Sequence, residues 1–223
     1  MKRIYSPRIE NWGYSILNMS NPKHYSKDVP RVSSIVGWMH PFEGTDWEAF
    51  FHKWLEGKWI SVKEYMKEAE NAGTFIHSKL EEFILTGRKY NWNKYKQLLS
   101  NAFEFIEWMN LSKEKTEVYF CNNDYQGTVD CIANYNWKKY ILDWKSWWIA
   151  REKFGLEVPN KKQTGKLEKA KLQLSLYAKH FKIKNIAVVE LRSDWVKFHE
   201  LERMSNKELN EIIEEYKLHN IEE

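Results

Sequence analysis

Cysteine is scarce in this chain of 223 residues, with Cys121 and Cys131 the two present. Two thiols cannot supply a four-thiolate zinc or iron–sulfur site, and in a chain this long they need not form a disulfide framework. Both are expected in core packing. No apolar run approaches the roughly 18 residues of a membrane span, and the amino terminus has no signal-peptide core. The expectation is a cytoplasmic, intracellular protein without a membrane partner. Repeats and low-complexity tracts are also missing. Neither sign of charge dominates: the net charge is +4 and the pI about 8.8. The distribution is less even, since residues 151–184 carry ten Lys/Arg against three Asp/Glu, whereas residues 190–223 carry five against ten. A polyanion would be drawn to the first stretch and repelled by the second. A solvated, Lys-rich helix face would give the first stretch the same composition.

What the chain does have is apolar and aromatic bulk. With 43% apolar residues and twelve Trp, it can fill one sizeable core, and a single domain over 1–223 is expected. Residues 1–60 are aromatic-rich and broken by Pro22, Pro30 and Pro41, with short helices in "RVSSIVGWM" and "DWEAFFHKWLEG". A helical pattern follows from about Ser61, where Ile76, Leu80, Phe83 and Ile84 form one apolar stripe ending at Gly87. Another helix covers about 92–109. The period then falls to two in "KTEVYF", "GTVDCIANY" and "KYILDWKSW", three strands linked by "CNNDYQ" and "YNWK". After a basic connection over 150–165, Leu167, Ala170, Leu174 and Phe181 mark a helix. Two more strands follow in "IKNIAVVELR" and "WVKFHEL", and Ser205 with Glu208 forms the capping box of a last helix over 205–223. The order predicts an α/β fold with a mixed central sheet flanked by helices, its core over 61–204.

The hairpin over 127–146 raises a chemical question. A turn centred between Asn136 and Trp137 pairs Ile132 with Ile141 and sets Asp130 opposite Asp143. Like charges so arranged are destabilising and ask for a cation. Lys145 lies two residues beyond Asp143, so it shares that side of the strand. The trio offers two hard oxygen ligands for a divalent metal with an ammonium beside them, a grouping suited to phosphodiester hydrolysis by a metal-activated water. Asp-x-Lys alone proves nothing, because Glu56 and Lys58 have the same spacing and an exposed ion pair would explain either. Its company is more telling. Ile141 and Leu142 imply that Asp143 ends a buried strand, where a lone charge is costly. Glu117 on the preceding strand adds a carboxylate, and His77 in the striped helix is a candidate nitrogen ligand once aspartates are near.

The succession "GTFIHSKLE", "TEVYF", "GTVDCIANY", "ILDWKS" and "QLSLY", over about residues 73–178, resembles the RecB-like branch of the PD-(D/E)XK nuclease superfamily. That branch includes lambda exonuclease, AddB-type nuclease domains and the mitochondrial genome maintenance exonuclease. The lead-in "VPRVSSIVGWM" is similar to that of the mitochondrial type. The resemblance implies a restriction endonuclease-like core and a metal-dependent DNA exonuclease, acting on single strands or DNA ends, with endonuclease activity left open. It implies His77, Asp130, Asp143 and the Trp144 carbonyl as metal ligands, Lys145 as the catalytic lysine and Glu117 as an accessory acid. Gln173 and Tyr177 match the family's Gln-x-x-x-Tyr, one turn apart on a helix face; a plain helix–sheet contact is the other account of them. Mg²⁺ or Mn²⁺ is the expected ion. Relatives with an iron–sulfur cluster use four cysteines, so none is expected here. Trp38, Trp54 and Trp59 are candidates to stack on unpaired bases. A homo-oligomer is left open. A nuclease-fold protein that binds nucleic acid without cutting it, and a small-molecule phosphohydrolase, are the competing readings.

Overall fold

The computed structural model of the chain describes residues 26, 29–40, 46–90, 95–110, 112–156 and 164–219. Much of the aromatic-rich segment expected over 1–60 therefore lies outside the described residues. Two of its parts are described, helix α1 (Val32–Met39) and helix α2 (Asp46–Glu56).

Helix α3 (Val62–Thr86) begins where Ser61 Oγ accepts the Glu64 amide and ends at Gly87, whose φ of 75° closes a left-handed cap on the Phe83 carbonyl. Glycine adopts that conformation without a Cβ penalty. Ile76, Leu80, Phe83 and Ile84 are all buried, as the stripe predicts. Helix α4 (Lys96–Trp108) packs beside α3. Strands β1 (Ser112–Cys121), β2 (Gln126–Tyr135) and β3 (Lys138–Lys145) form an antiparallel meander, and β3 then pairs in parallel with β4 (Asn185–Leu191). A parallel neighbour requires a crossover. It runs through a short helix α5 (Ile149–Lys153) and the long helix α6 (Thr164–Phe181). Strand β5 (Val196–Leu201) closes the far edge, and α7 (Asn206–His219) ends the described chain. Its capping box forms both ways, Glu208 N donating to Ser205 Oγ and Ser205 N to Glu208 Oε2. The fold is α/β: five strands in the order β1-β2-β3-β4-β5, flanked by helices. Among the described residues, no helix is long and apolar enough to cross a membrane.

The sheet separates two core layers. Ile132, Ile141, Ile186 and Val188 face α1, α6 and α7, while Cys131, Leu142, Ala187 and Val189 face α3 and α4. Strands β3 and β4 are thus buried on both faces, which is why they read as near-continuous apolar runs. Two sequence expectations need correction. Cys131 is buried but Cys121 is exposed, because it is the last residue of an edge strand, where one flank has no neighbour. The connection over 150–165 contains α5, whose five residues are too few to give a visible period.

The β2–β3 register matches the predicted turn, with Ile132 opposite Ile141 and Tyr135 opposite Lys138. Asn136 and Trp137 have φ of 47° and 62°, the primed-turn geometry that suits a two-residue hairpin. Trp137 is fully exposed, so its ring offsets none of the left-handed strain. Trp137→Gly is expected to raise stability by up to about 1 kcal/mol, read as a higher denaturant midpoint.

Candidate metal centre

Three adjacent strands and two helices, α3 and α6, deliver polar residues to one end of the sheet. On β3, Asp143 follows Ile141 and Leu142 and is only 2% exposed. Lys145 Nζ lies 2.8 Å from Asp143 Oδ2. That oxygen is buried yet accepts no well-aligned hydrogen bond, so its approach to Lys145 is an ion pair without full directional satisfaction. Burial pushes the Asp143 carboxyl up to about 6 against the pull of Lys145, with the Asp130 charge adding to the rise. The Lys145 ammonium is drawn down by burial, but Asp143 and Asp130 outweigh this and hold it above its ordinary value.

Strand β2 departs from strict alternation where the site begins. Val129 and Ile132 join the same core layer although they are three residues apart, a spacing that regular strand geometry sends to opposite faces. Asp130 lies between them. Its Oδ2 accepts the Trp144 amide at 2.9 Å, so a side chain takes over where the backbone pairing of β2 with β3 stops after Cys131 and Leu142. On β1, Glu117 falls between the pairs Thr116–Cys131 and Val118–Val129 and has φ of 47°. A left-handed backbone at a non-glycine residue costs about 1 kcal/mol or more and concentrates at functional sites.

Helix α3 supplies His77 on the turn after Ile76. Its Nε2 is 2.7 Å from the Trp144 carbonyl oxygen, and its Nδ1 is 3.5 Å from Asp130 Oδ2. Burial lowers the imidazole pKa, but the Asp130 carboxylate overrides it and lifts the group to about 9. The ring is then an imidazolium at neutral pH, donating to the carbonyl and facing the carboxylate. Asp130 itself is raised by burial and pulled down further by His77, ending below its ordinary value. Burial first, then the Asp130 charge, pushes Glu117 up to about 8.

One ligand atom each from His77, Glu117 and Asp130 lies within 4.8 Å of the others. A divalent cation fits this donor set: hard carboxylates plus one imidazole, with the under-bonded Asp143 Oδ2 on the neighbouring strand. Asp143 stands outside the tight group, turned to Lys145. The Trp144 carbonyl and His77, joint ligands by resemblance, bond to one another. On α6, Gln173 Nε2 donates to Tyr177 Oη at 3.1 Å and reaches Asp143 Oδ1 at 3.5 Å. The eight residues that the resemblance assigns to the centre, His77, Glu117, Asp130, Asp143, Trp144, Lys145, Gln173 and Tyr177, therefore lie at this end of the sheet.

The sequence reading missed Gly127. A Cβ there would stand 2.8 Å from Tyr177 Cε1, and the Tyr177 ring is buried edge-on against Phe120. A glycine opening a strand was the available signal, since it marks close approach of another group. Gly127→Ala is expected to cost about 1–3 kcal/mol by overpacking, read by chemical denaturation, and to displace the Gln173–Tyr177 pair. Of the candidate stacking residues, Trp38 packs on the core and Trp54 lies under Arg151, while Trp59 is exposed. A cavity of about 320 Å³ between α1, α6 and the segment leading into α7 shares no residue with the centre and mixes Glu168, Glu202 and Glu208 with Lys171 and Arg203.

No protein-family model matches the sequence, and no curated protein matches it. Among solved structures, the chain is similar to one described as the crystal structure of SSO0001, with a TM-score of 0.50 and 13% identity, over 95% of this chain and 87% of that one. At that identity the likeness is one of fold.

Proposed function

We propose that the protein is a divalent-metal-dependent deoxyribonuclease that hydrolyses phosphodiester bonds by direct attack of water, acting on single-stranded DNA or DNA ends. The observation that carries this reading is the convergence of His77, Glu117, Asp130, Asp143 and Lys145 at one sheet end, three of them within 4.8 Å of one another and the ammonium 2.8 Å from Asp143. The order of motifs, similar to that of RecB-like nucleases, supports it.

His77, Asp130, Asp143 and the Trp144 carbonyl would hold Mg²⁺ or Mn²⁺, with Glu117 at hand for the same ion or a second. Such an ion polarises a phosphoryl oxygen and lowers the pKa of a nearby water. Lys145 neutralises charge that builds on the phosphoryl oxygens and orients the attacking water. Gln173 steadies Asp143 from α6, and Tyr177 fixes the Gln173 amide. The surplus of Lys and Arg over residues 151–184 draws the polyanion towards that helix. This reading takes a cytoplasmic setting and no iron–sulfur cluster.

End-labelled single- and double-stranded DNA, incubated with protein and Mg²⁺, Mn²⁺ or chelator, tests the proposal. Metal-dependent shortening or loss of label is expected. A mobility shift without products would instead identify a binding protein with the nuclease fold. Neither shift nor products would leave a small-molecule phosphohydrolase as the better reading.

A further inference from the structure

Lys145 has two carboxylates to choose from. Glu190 on β4 is its ladder partner, so the two side chains leave the same face of the sheet from backbones about 5 Å apart. Opposite charges on neighbouring strands ordinarily pair. Here the ammonium goes instead to Asp143, two residues back on its own strand, with Nζ 2.8 Å from Oδ2. Among the described residues, Lys145 makes no ion pair with Glu190. Burial lowers the Lys145 ammonium, and the charges that overcome burial are those of Asp143 and then Asp130.

Glu190 does not compete because its oxygens are already taken. It is only 5% exposed. Its Oε1 accepts from Trp148 Nε1 at 3.0 Å and from Arg192 Nε and Nη2 at 3.1 and 3.0 Å, and His199 Nε2 lies 2.9 Å from its Oε2. Burial pushes the Glu190 carboxyl up, but the bonds from His199 and Arg192 outweigh this and hold it below its ordinary value. The group is therefore a full negative charge at neutral pH. Arg192 is the member of this clamp whose charge is permanent. It is 4% exposed, and its guanidinium carbon lies 4.3 Å from the Trp195 ring centroid and 5.5 Å from that of Trp148, an indole that Lys166 and Arg151 also approach. The two rings hold the guanidinium where it meets Glu190.

We propose that Arg192 is a positioning residue for Lys145: with His199 and Trp148 it occupies Glu190, and so leaves the ammonium to Asp143 at the metal centre. The inference rests on the nuclease reading for its chemical consequence and on the ladder alone for its geometry. The flexible four-carbon stem of Lys145 can serve either acid. A buried carboxylate stripped of its guanidinium is costly, and the cation across the ladder is at hand to relieve it. Once freed, Glu190 draws the ammonium over from β3. Asp143 then loses its partner, and no cation stands where charge builds on the phosphoryl oxygens. The strand register is untouched, so what is lost is the placement of one charge.

The test compares Arg192→Met, Glu190→Gln and the two together in the full chain. Crystal structures without metal locate Lys145 Nζ, and rates on a labelled oligonucleotide with Mn²⁺ give kcat and KM. In Arg192→Met, Nζ is expected in ion-pair contact with Glu190, with kcat down about tenfold to a hundredfold and KM little changed. Glu190→Gln alone should leave Nζ beside Asp143. Added to Arg192→Met, it should return Nζ to Asp143 and restore most of kcat, a rescue that general damage to the fold would not show. If Arg192→Met does not fold, His199→Phe frees the other Glu190 oxygen and is read in the same way, with and without Glu190→Gln. Nζ still beside Asp143 in the folded single variant, or no rescue in the double variant, overturns the positioning role. Nζ that moves and returns as expected in a protein that never cuts DNA supports the placement and sinks the nuclease reading alone.

Discussion

If the protein is the nuclease proposed, Lys145→Met is expected to slow DNA hydrolysis by about 10²–10⁴-fold at a cost of only about 1–2 kcal/mol in stability. The two magnitudes differ because the carboxylate left behind has a way to lose its charge. Lys145 Nζ is 2.8 Å from Asp143 Oδ2, and removing one partner of a buried pair ordinarily costs about 3–5 kcal/mol. Burial has already raised the Asp143 carboxyl to about 6. Without the ammonium it rises further, and at neutral pH the group takes up a proton. The cost is then limited to about 1.4 kcal/mol for each pH unit that separates its former pKa from the buffer. The chemistry has no such relief, since a neutral acid is a poor ligand and no cation remains to meet charge building on the phosphoryl oxygens. Rates on a labelled oligonucleotide and denaturant midpoints, measured on the same preparations, separate the two effects. Activity within tenfold of wild type would remove Lys145 from the chemistry. A stability loss near 5 kcal/mol would mean that Asp143 cannot take the proton. Asp143→Asn combined with Lys145→Met should slow hydrolysis no more than the worse single variant, because residues acting as a unit are not additive.

The alternation of "ILDWK" and the buried pair before the acid were enough to expect Asp143 at the end of an inner strand, and the two-residue turn at Asn136 fixed the β2–β3 register. Both are local patterns. The break at Asp130 was not legible, because it arises where β2, β1 and α3 meet. Parity alone sends Asp130 and Asp143 to one side, but the irregular strand turns Asp130 to His77 and the Trp144 amide, while Asp143 turns to Lys145 and Gln173. The left-handed backbone at Glu117 has no sequence signature either, since glutamate is a poor residue for it. The grouping of Arg151, Lys166 and Arg192 around the Trp148 indole escaped for another reason. Arg151 lies on α5, Lys166 on α6 and Arg192 in the turn after β4, and the three read separately as ordinary charged residues.

Without divalent metal, the protein is expected to lose stability as the pH rises from 6 to 9, and Mn²⁺ should remove most of that loss. His77 stands at about 9 in the folded chain against about 6.5 unfolded. Its contribution is complete below about 6.5 and fades as the pH climbs through 9. Glu117, at about 8 against an ordinary 4.5, acts in the same direction, because the folded state keeps a proton that the unfolded chain has released. Stability falls wherever the native state binds more protons. Asp143, at about 6, adds a decline on the acid side of this window. Asp130 works the other way, its folded pKa lying below the ordinary value, but that contribution is already complete above pH 4. His77 alone accounts for roughly 3 kcal/mol over the window, or about 6–12 °C in Tm for a chain of this size. A divalent cation held by these groups takes the place of the protons, so its affinity should rise with pH and its binding should release protons at pH 7. Thermal melts from pH 5 to 9 in chelator and in Mn²⁺ read the stability difference directly, and calorimetry in buffers of different ionisation enthalpy counts the protons. Melting curves in chelator that stay level from pH 6 to 9 would mean that His77 and Glu117 do not hold protons against each other's neighbours, and Mn²⁺ that left the curves unmoved would deny the site its ion.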